Sequence, residues 1–427
     1  MDEKLIKREI RRELGVVIVS ERELNADVIR ERTLRIFETR KRQSRYQIDD
    51  SQKDQIINSL CDDFLGWGPL QRLMDDKAIS EIMVNGPFKV YMEKGGRKTL
   101  TDIVFDDEAH LRYIIEKMLA PSARRLDESL PYVDFSLDDG SRVNVIIPPL
   151  AIGGAMMTIR KFLRTIERVE DLVSLETIDE RMAEFLTACV KAKLNILFSG
   201  ATGSGKTTTV EVISSYIDSS ERIITIEDAL ELSLRQDHVV RLLTKPPNIE
   251  GKGEVTIRDL FRNTLRMRPT RIILGEIRGE EAMDYLQALN SGHRGCLAVI
   301  HASRPSDAIG RLETMALYAG LNIPAWGIRR QISSGLNMII QHDQLTDGSR
   351  KINYITEVGH MSGDGIILRD IFRYKAEEVT ESGKVKGKFE ALGKPHFFSI
   401  FKKKGVAINE KIFTPDAGEE GKEFIVR

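Results

Sequence analysis

The residues with the most chemistry in this chain form the run Gly200-Ala201-Thr202-Gly203-Ser204-Gly205-Lys206-Thr207-Thr208. Its glycines can take backbone angles closed to other residues, so successive N–H groups can turn inward around an anion. Lys206 can neutralise the β- and γ-phosphates of a nucleotide, and the Thr207 hydroxyl can ligate Mg²⁺. The apolar segment Leu194 to Phe198 reads as a buried strand, and Val210, Ile213 and Ile217 recur at helical spacing behind the loop. Strand, glycine loop and helix are the context in which G-x-x-x-x-G-K-[ST] grips phosphate, with the helix dipole aimed at the anion. These residues imply a nucleoside triphosphate site, with ATP and Mg²⁺ as the expected occupants.

Four other polar groups stand at the ends of apolar runs. Glu276 follows Ile272-Ile273-Leu274 and Gly275, the position at which a P-loop ATPase keeps the carboxylate that orients attacking water. Gly275 occupies the place where a common P-loop enzyme has an aspartate. Glu227, Asp228 and Glu231 form an acidic cluster after the run Ile223 to Ile226, suited to Mg²⁺ and water; the metal set expected is Thr207, Glu227, Asp228 and Glu276. His293 and His301 flank the run Leu297 to Ile300, and His301 falls at the active end of that strand. The charge on a departing γ-phosphate also needs cations, for which Arg278, Arg294, Arg142 and Arg160 are the candidates.

Composition frames these groups. With 427 residues, 41% hydrophobic and 30% charged, the chain is long enough for two or three globular domains. A net charge of -1 supplies no overall basic field, so no specific nucleic acid is expected. Cys61, Cys189 and Cys296 have no metal-ligand spacing. No apolar leader opens the chain, and the longest apolar stretch, Val143 to Ile159, is broken by Pro148, Pro149, Gly153 and Gly154. A cytoplasmic protein is expected, unless a partner holds it at a membrane.

The positioning elements read as follows. Residues 1–48 are a charged helical extension ending in Arg40-Lys41-Arg42 and Arg45, and Ser51 with Asp54 starts the next helix. Short strands with turns place an N-terminal α/β domain at 49–160, followed by a charged linker at 161–176. Thr177 with Glu180 and Thr256 with Asp259 read as helix caps. A second α/β domain spans 177–415: strands alternate with helices to about 304, which implies a parallel sheet whose carboxyl edge gathers Gly200, Glu227, Glu276 and His301, and two helical stretches then lead into alternating strands with hairpin signals at Asp347-Gly348 and Asp364-Gly365. Residues 233–255 read as a mobile loop and 416–427 as a disordered tail. Asp-Gly-Ser-Arg occurs at 139–142 and 347–350, read as one turn chemistry used twice.

The glycine loop, Thr225-Ile226-Glu227-Asp228, Gly275-Glu276-Ile277-Arg278-Gly279, and Ser291-Gly292-His293-Arg294-Gly295 through His301-Ala302 resemble the Walker A, Asp, Walker B and His boxes of the type II/type IV secretion ATPase superfamily. Gly68-Pro69-Leu70, Glu81 to Pro87, Asp139 to Asn144 and Pro148-Pro149-Leu150 resemble its CpaF-type branch, which serves the Tad (Flp) pilus. The resemblance implies a RecA-like P-loop domain preceded by a PAS-like α/β domain and assembled as a homohexamer. It further implies ATP bound between the domains, with Arg142 and Arg160 reaching the phosphates. Glu276, Glu227, His301, Arg278 and His293 would be catalytic. Hydrolysis would move pilin subunits through inner-membrane platform proteins. Two other readings stand beside it: a type IV secretion ATPase serving a DNA or effector channel, and a nucleotide-sensing scaffold without turnover.

Overall fold

The computed structural model describes residues 3–18, 25–42, 49–122, 124–162, 166–248, 251–416 and 421–426. The chain divides into two compact units, 1–165 and 166–427.

The first unit opens with helices α1 (Glu3–Ile18), α2 (Ala26–Arg42) and α3 (Asp50–Leu65). Ile6, Ile10, Leu14, Ile29 and Phe37 pack on Ile56, Ile57 and Leu60, so the charged extension buries a shared apolar stripe. The basic cluster reaches α2 through Arg42, while Arg45 lies outside the described residues. The cap of α3 is Asp49 rather than Ser51: its side chain accepts from the Gln52 N–H, and Gln52 answers with its own side chain. Next come α4 (Gln71–Asp75), β1 (Ile79–Asn85), β2 (Val90–Lys94), β3 (Arg97–Leu100), α5 (Glu108–Leu119), β4 (Tyr132–Ser136), β5 (Arg142–Ile146) and β6 (Met156–Arg160). The strands form an antiparallel sheet in the order β3-β2-β1-β6-β5-β4. Alternation puts Val143, Val145, Met157 and Ile159 into the core against α5.

The second unit begins inside the expected linker. Helix α6 (Val169–Ser174) buries Val169 and Leu172, so 161–176 is not a plain connector; residues 163–165 lie outside the description. Helix α7 (Glu180–Lys191) is capped by Asp179, two residues later than Thr177. The elements that follow are β7 (Ile196–Gly200), α8 (Lys206–Ser214), β8 (Ile223–Glu227), β9 (Val239–Leu243), α9 (Ile257–Thr264), β10 (Arg271–Leu274), α10 (Glu281–Asn290), β11 (Leu297–Ile300), α11 (Pro305–Leu317) and α12 (Ala325–Gly335). The chain then runs β12 (Met338–Gln344), β13 (Arg350–Ser362), β14 (Gly365–Val379), β15 (Val385–Ala391), α13 (Ser399–Lys403) and β16 (Glu423–Val426). Sheet order is β15-β14-β13-β12-β7-β11-β10-β8-β9, with β16 on β14. Strands β9, β8, β10, β11, β7 and β12 run parallel, and antiparallel pairs follow at the hairpin signals Asp347-Gly348 and Asp364-Gly365, giving a mixed sheet.

Two expectations are corrected here. Residues 239–243 of the supposed mobile loop add to β8 as a strand, because Val239-Val240-Arg241-Leu242-Leu243 is rich in β formers. The supposed disordered tail likewise holds Ile366 to Arg369 of β14 through Glu423 to Val426. Asp416 also pairs with Arg181 at 2.7 Å; residues 417–420 and 427 lie outside the description.

Candidate functional site

Strand β7 is buried along its whole length between β11 and β12, so the loop that follows it emerges at the centre of the sheet. Gly200 stands opposite His342 in the β7–β12 register, and a Cβ there would lie 2.6 Å from the His342 carbonyl. No other residue fits at that point. Gly205, at φ +95°, caps α8. Lys206, the first residue of that helix, folds back along the loop and donates to the Gly200 and Ala201 carbonyls at 3.0 and 2.7 Å. Its ammonium therefore lies against the start of the loop, at the Gly200 and Ala201 carbonyls. Burial pushes Lys206 down to about 8, against the opposing pull of Glu276 and Glu231.

A line of polar contacts runs from that ammonium across the carboxyl edge. Lys206 Nζ lies 3.4 Å from His301 Nδ1, and His301 Nε2 lies 3.2 Å from Glu276 Oε1. Burial and the neighbouring Lys206 charge lower the imidazole, with Glu276 pulling the other way, so the neutral ring is favoured. Those partners assign the tautomer: Nδ1 accepts from Lys206 and Nε2–H donates to Glu276. The second Glu276 oxygen accepts from Arg278 at 2.6 Å, and Arg278 also reaches Asp228 at 3.3 Å. The bond to Glu276 raises the guanidinium further above its usual range. Glu276 is thus fixed from both sides.

The acidic cluster divides its labour. Thr207 Oγ1 donates to Glu231 Oε2 at 3.2 Å at the head of α8. That hydroxyl–carboxylate pair is the hard oxygen donor set that Mg²⁺ prefers, and the small number of protein ligands suits an ion held through phosphates and waters. Among the described residues no three His, Cys, Asp or Glu side chains converge as a metal cage. Glu227, expected from sequence to bind metal and act in catalysis, ends β8 at the same edge. It is 2% exposed, and its Oε1 accepts the Glu231 and Leu232 N–H groups at 3.0 and 2.8 Å. Burial raises its carboxyl, and Oε2 is buried without a partner. Glu227 therefore shapes the turn that presents Glu231. It also accounts for Gly275: a Cβ there would sit 3.0 Å from the Glu227 side chain.

His293 lies away from these groups. Parallel pairing sets Leu297 beside Ile196 and Ile300 beside Ser199, so His293 and Arg294 belong to the turn entering β11 at the amino edge. The glycine loop leaves β7 at the opposite edge. His293 instead contacts Ser291 Oγ at 3.4 Å. In the first unit, Arg142 and Arg160 are direct cross-strand partners on β5 and β6, and Arg160 pairs with Glu81 at 2.8 Å.

Three residues at the site were not singled out from sequence, two on β12 and one at the start of β13. His342 is buried, contacts Thr209 Oγ1 at 3.0 Å, and is pushed down to about 4 by burial and Lys206. Gln341 donates to the Ala302 carbonyl at 3.1 Å. Arg350 Nε donates to the Gly203 carbonyl at 2.8 Å. The repeated Asp-Gly-Ser-Arg was the available signal for Arg350.

Fold and site together define a P-loop nucleoside triphosphate-binding protein. The profile of the family described as Type II/IV secretion system protein matches residues 64–365. This chain belongs to that family. A putative conjugal transfer protein of Mycobacterium tuberculosis is 31% identical over 342 residues, covering 75% of this chain and 97% of the relative. VirB11 of Agrobacterium fabrum is 32% identical over 57% of this chain and 78% of its own length. The crystal structure of the pilus retraction motor PilT with bound ADP aligns at a TM-score of 0.50 and 21% identity, covering 68% of this chain and 82% of that one, a likeness of fold.

Proposed function

We propose that this protein is an Mg²⁺-dependent ATPase that works as a motor for a membrane-spanning pilus or secretion machine. The observation that carries the reading is the unbroken line Lys206–His301–Glu276–Arg278–Asp228 facing the glycine loop. The loop amides and Lys206 grip the β- and γ-phosphates. Thr207 and Glu231 are placed to hold Mg²⁺, which when bound neutralises the phosphate oxygens. Glu276, fixed by His301 and Arg278, orients water for in-line attack and takes its proton. Neutral His301 relays the state of Lys206 to Glu276. Arg278 and the first unit's Arg142 and Arg160 are the cations for the charge on the leaving phosphate.

The finer reading is a homohexamer of the CpaF type, driving inner-membrane platform proteins of a Tad pilus; the motifs at Glu81–Pro87, Asp139–Asn144 and Pro148–Leu150 support it. Among the described residues no helix is long and apolar enough to cross a membrane, which suits attachment through partners. A type IV secretion ATPase stands as the second reading, favoured by relatives named for conjugal transfer and VirB11. Steady phosphate release by purified protein with Mg·ATP tests the enzyme; binding without any release leaves only a nucleotide-sensing scaffold. Deletion in the native host separates the machines, since loss of surface pili supports the first reading and loss of DNA or effector transfer the second.

A further inference from the structure

The β12–β13 turn enters the site on the flank away from Glu276. In the sheet, β7 is bordered on one side by β11 and then β10, which carry His301 and Glu276 at their ends, and on the other by β12 and then β13. On the ATP reading, a triphosphate whose terminal phosphate faced Glu276 would run back across the glycine loop toward β12 and send its nucleoside out on the β12 flank.

Arg350, the first residue of β13, is the charged side chain that the structure places there. Its Nε donates to the Gly203 carbonyl at 2.8 Å, and its Cδ lies 3.4 Å from where a Gly205 Cβ would stand. The side chain is exposed, and its two terminal amino groups make no hydrogen bond or ion pair among the described residues. The turn beneath it is held rigidly. Asp347 accepts the Ser349 N–H at 2.9 Å with one oxygen and the Val385 N–H at 2.8 Å with the other. A guanidinium anchored through Nε on a phosphate loop keeps a planar face and a fork of four N–H donors for whatever leaves that loop.

We propose that Arg350 binds the nucleoside half of the nucleotide, with its free amino groups and planar face taking the ribose and base. This rests on the ATP reading above. It makes the Asp347–Arg350 turn a nucleotide-binding element, although it stands more than a hundred residues from the glycine loop in sequence.

The test compares Mg·ATP with inorganic Mg·tripolyphosphate, which has the phosphates and no nucleoside. Both are titrated calorimetrically into full-length wild type and Arg350→Ala, whose exposed site leaves folding undisturbed. The expected result is ATP binding weakened about tenfold in the variant, the loss of a charge-assisted contact, with tripolyphosphate affinity held within about twofold. Equal weakening of both ligands overturns the proposal and leaves Arg350 as a brace for the Gly203 peptide. An unchanged ATP affinity overturns it as well. Failure of the ATP reading itself is distinguishable, because wild type would then bind neither ligand.

Discussion

Lys206 and His301 share one electrostatic environment, and that environment predicts a pH response. In the free protein Lys206 is pushed down to about 8 by burial, whereas triphosphate bound against it favours the ammonium. Binding above that pH must therefore take up a proton. Affinity for Mg·ATP is expected to be flat from pH 7 to about 8 and then to fall, by up to tenfold per pH unit, as pH rises through the free-state value. Lys206→Arg, which cannot deprotonate, should lose the slope; titrations from pH 6.5 to 9.5 on both proteins check this. Glu276→Gln keeps the His301 and Arg278 contacts sterically but cannot accept a proton. It should bind ATP at near wild-type affinity and hydrolyse it at least about a hundredfold more slowly, measured by phosphate release. Gly275→Asp, which restores the residue common in other P-loop enzymes, should lower turnover, because its side chain must displace Glu227 and with it the turn presenting Glu231.

Helix α1 is attached to its unit by charge as well as by apolar packing. Arg11 bridges Asp63 at 2.7 Å and Asp106 at 2.6 Å, and Asp63 also meets His110 Nε2 at 3.0 Å with both side chains fully buried. Burial by itself would raise Asp63, but the His110 hydrogen bond and the His110, Arg11 and Lys7 charges outweigh it and hold the carboxyl below its usual range. Asp106 is depressed as well. Because these are lowered carboxylates, the stability they add is fully present above the ordinary carboxylate range and is lost as pH falls below that range toward their lowered folded values. Asp63→Ala leaves the Arg11 guanidinium and the His110 ring without this partner and should cost about 3–5 kcal/mol of the first unit's unfolding free energy at pH 7, read from denaturant curves. That network was not legible in sequence, because Arg11, Asp63, Asp106 and His110 lie on separate elements with no motif joining them. What was legible had local chemistry: the glycine loop, the apolar strands ending in Glu276 and His301, and the Thr256–Asp259 cap. Asp49 displaced Ser51 and Asp179 displaced Thr177 because neighbouring Asp and Ser/Thr residues compete for the same cap. His293 and His301 flank the same strand in sequence, but only the parallel pairing shows that they lie at opposite edges of the sheet. His342 and Arg350 reach the loop only through the β7–β12 pairing, which spans more than a hundred residues of chain.

At the scale of the molecule, each unit carries its own apolar core. Leu70, Ile82, Val143 and Ile159 belong to one in the first unit, and Phe185, Phe198, Ile273 and Phe372 to one in the second. Every contact drawn here around Lys206, Thr207, Glu276, His301 and Arg350 is made within residues 166–427. The second unit should therefore fold alone and grip nucleotide alone. The proposed catalytic cations are split differently, with Arg278 in the second unit and Arg142 and Arg160 in the first. A fragment of residues 166–427 is expected to bind Mg·ATP within about threefold of the full chain if the loop amides and Lys206 supply most of the grip. Its phosphate release should fall at least about a hundredfold, the range set by loss of a charge-stabilising donor from the transition state. Binding by the fragment with full turnover would remove Arg142 and Arg160 from the mechanism and leave Arg278 as the sufficient cation. A folded fragment without affinity for Mg·ATP would mean that the first unit supplies part of the grip itself.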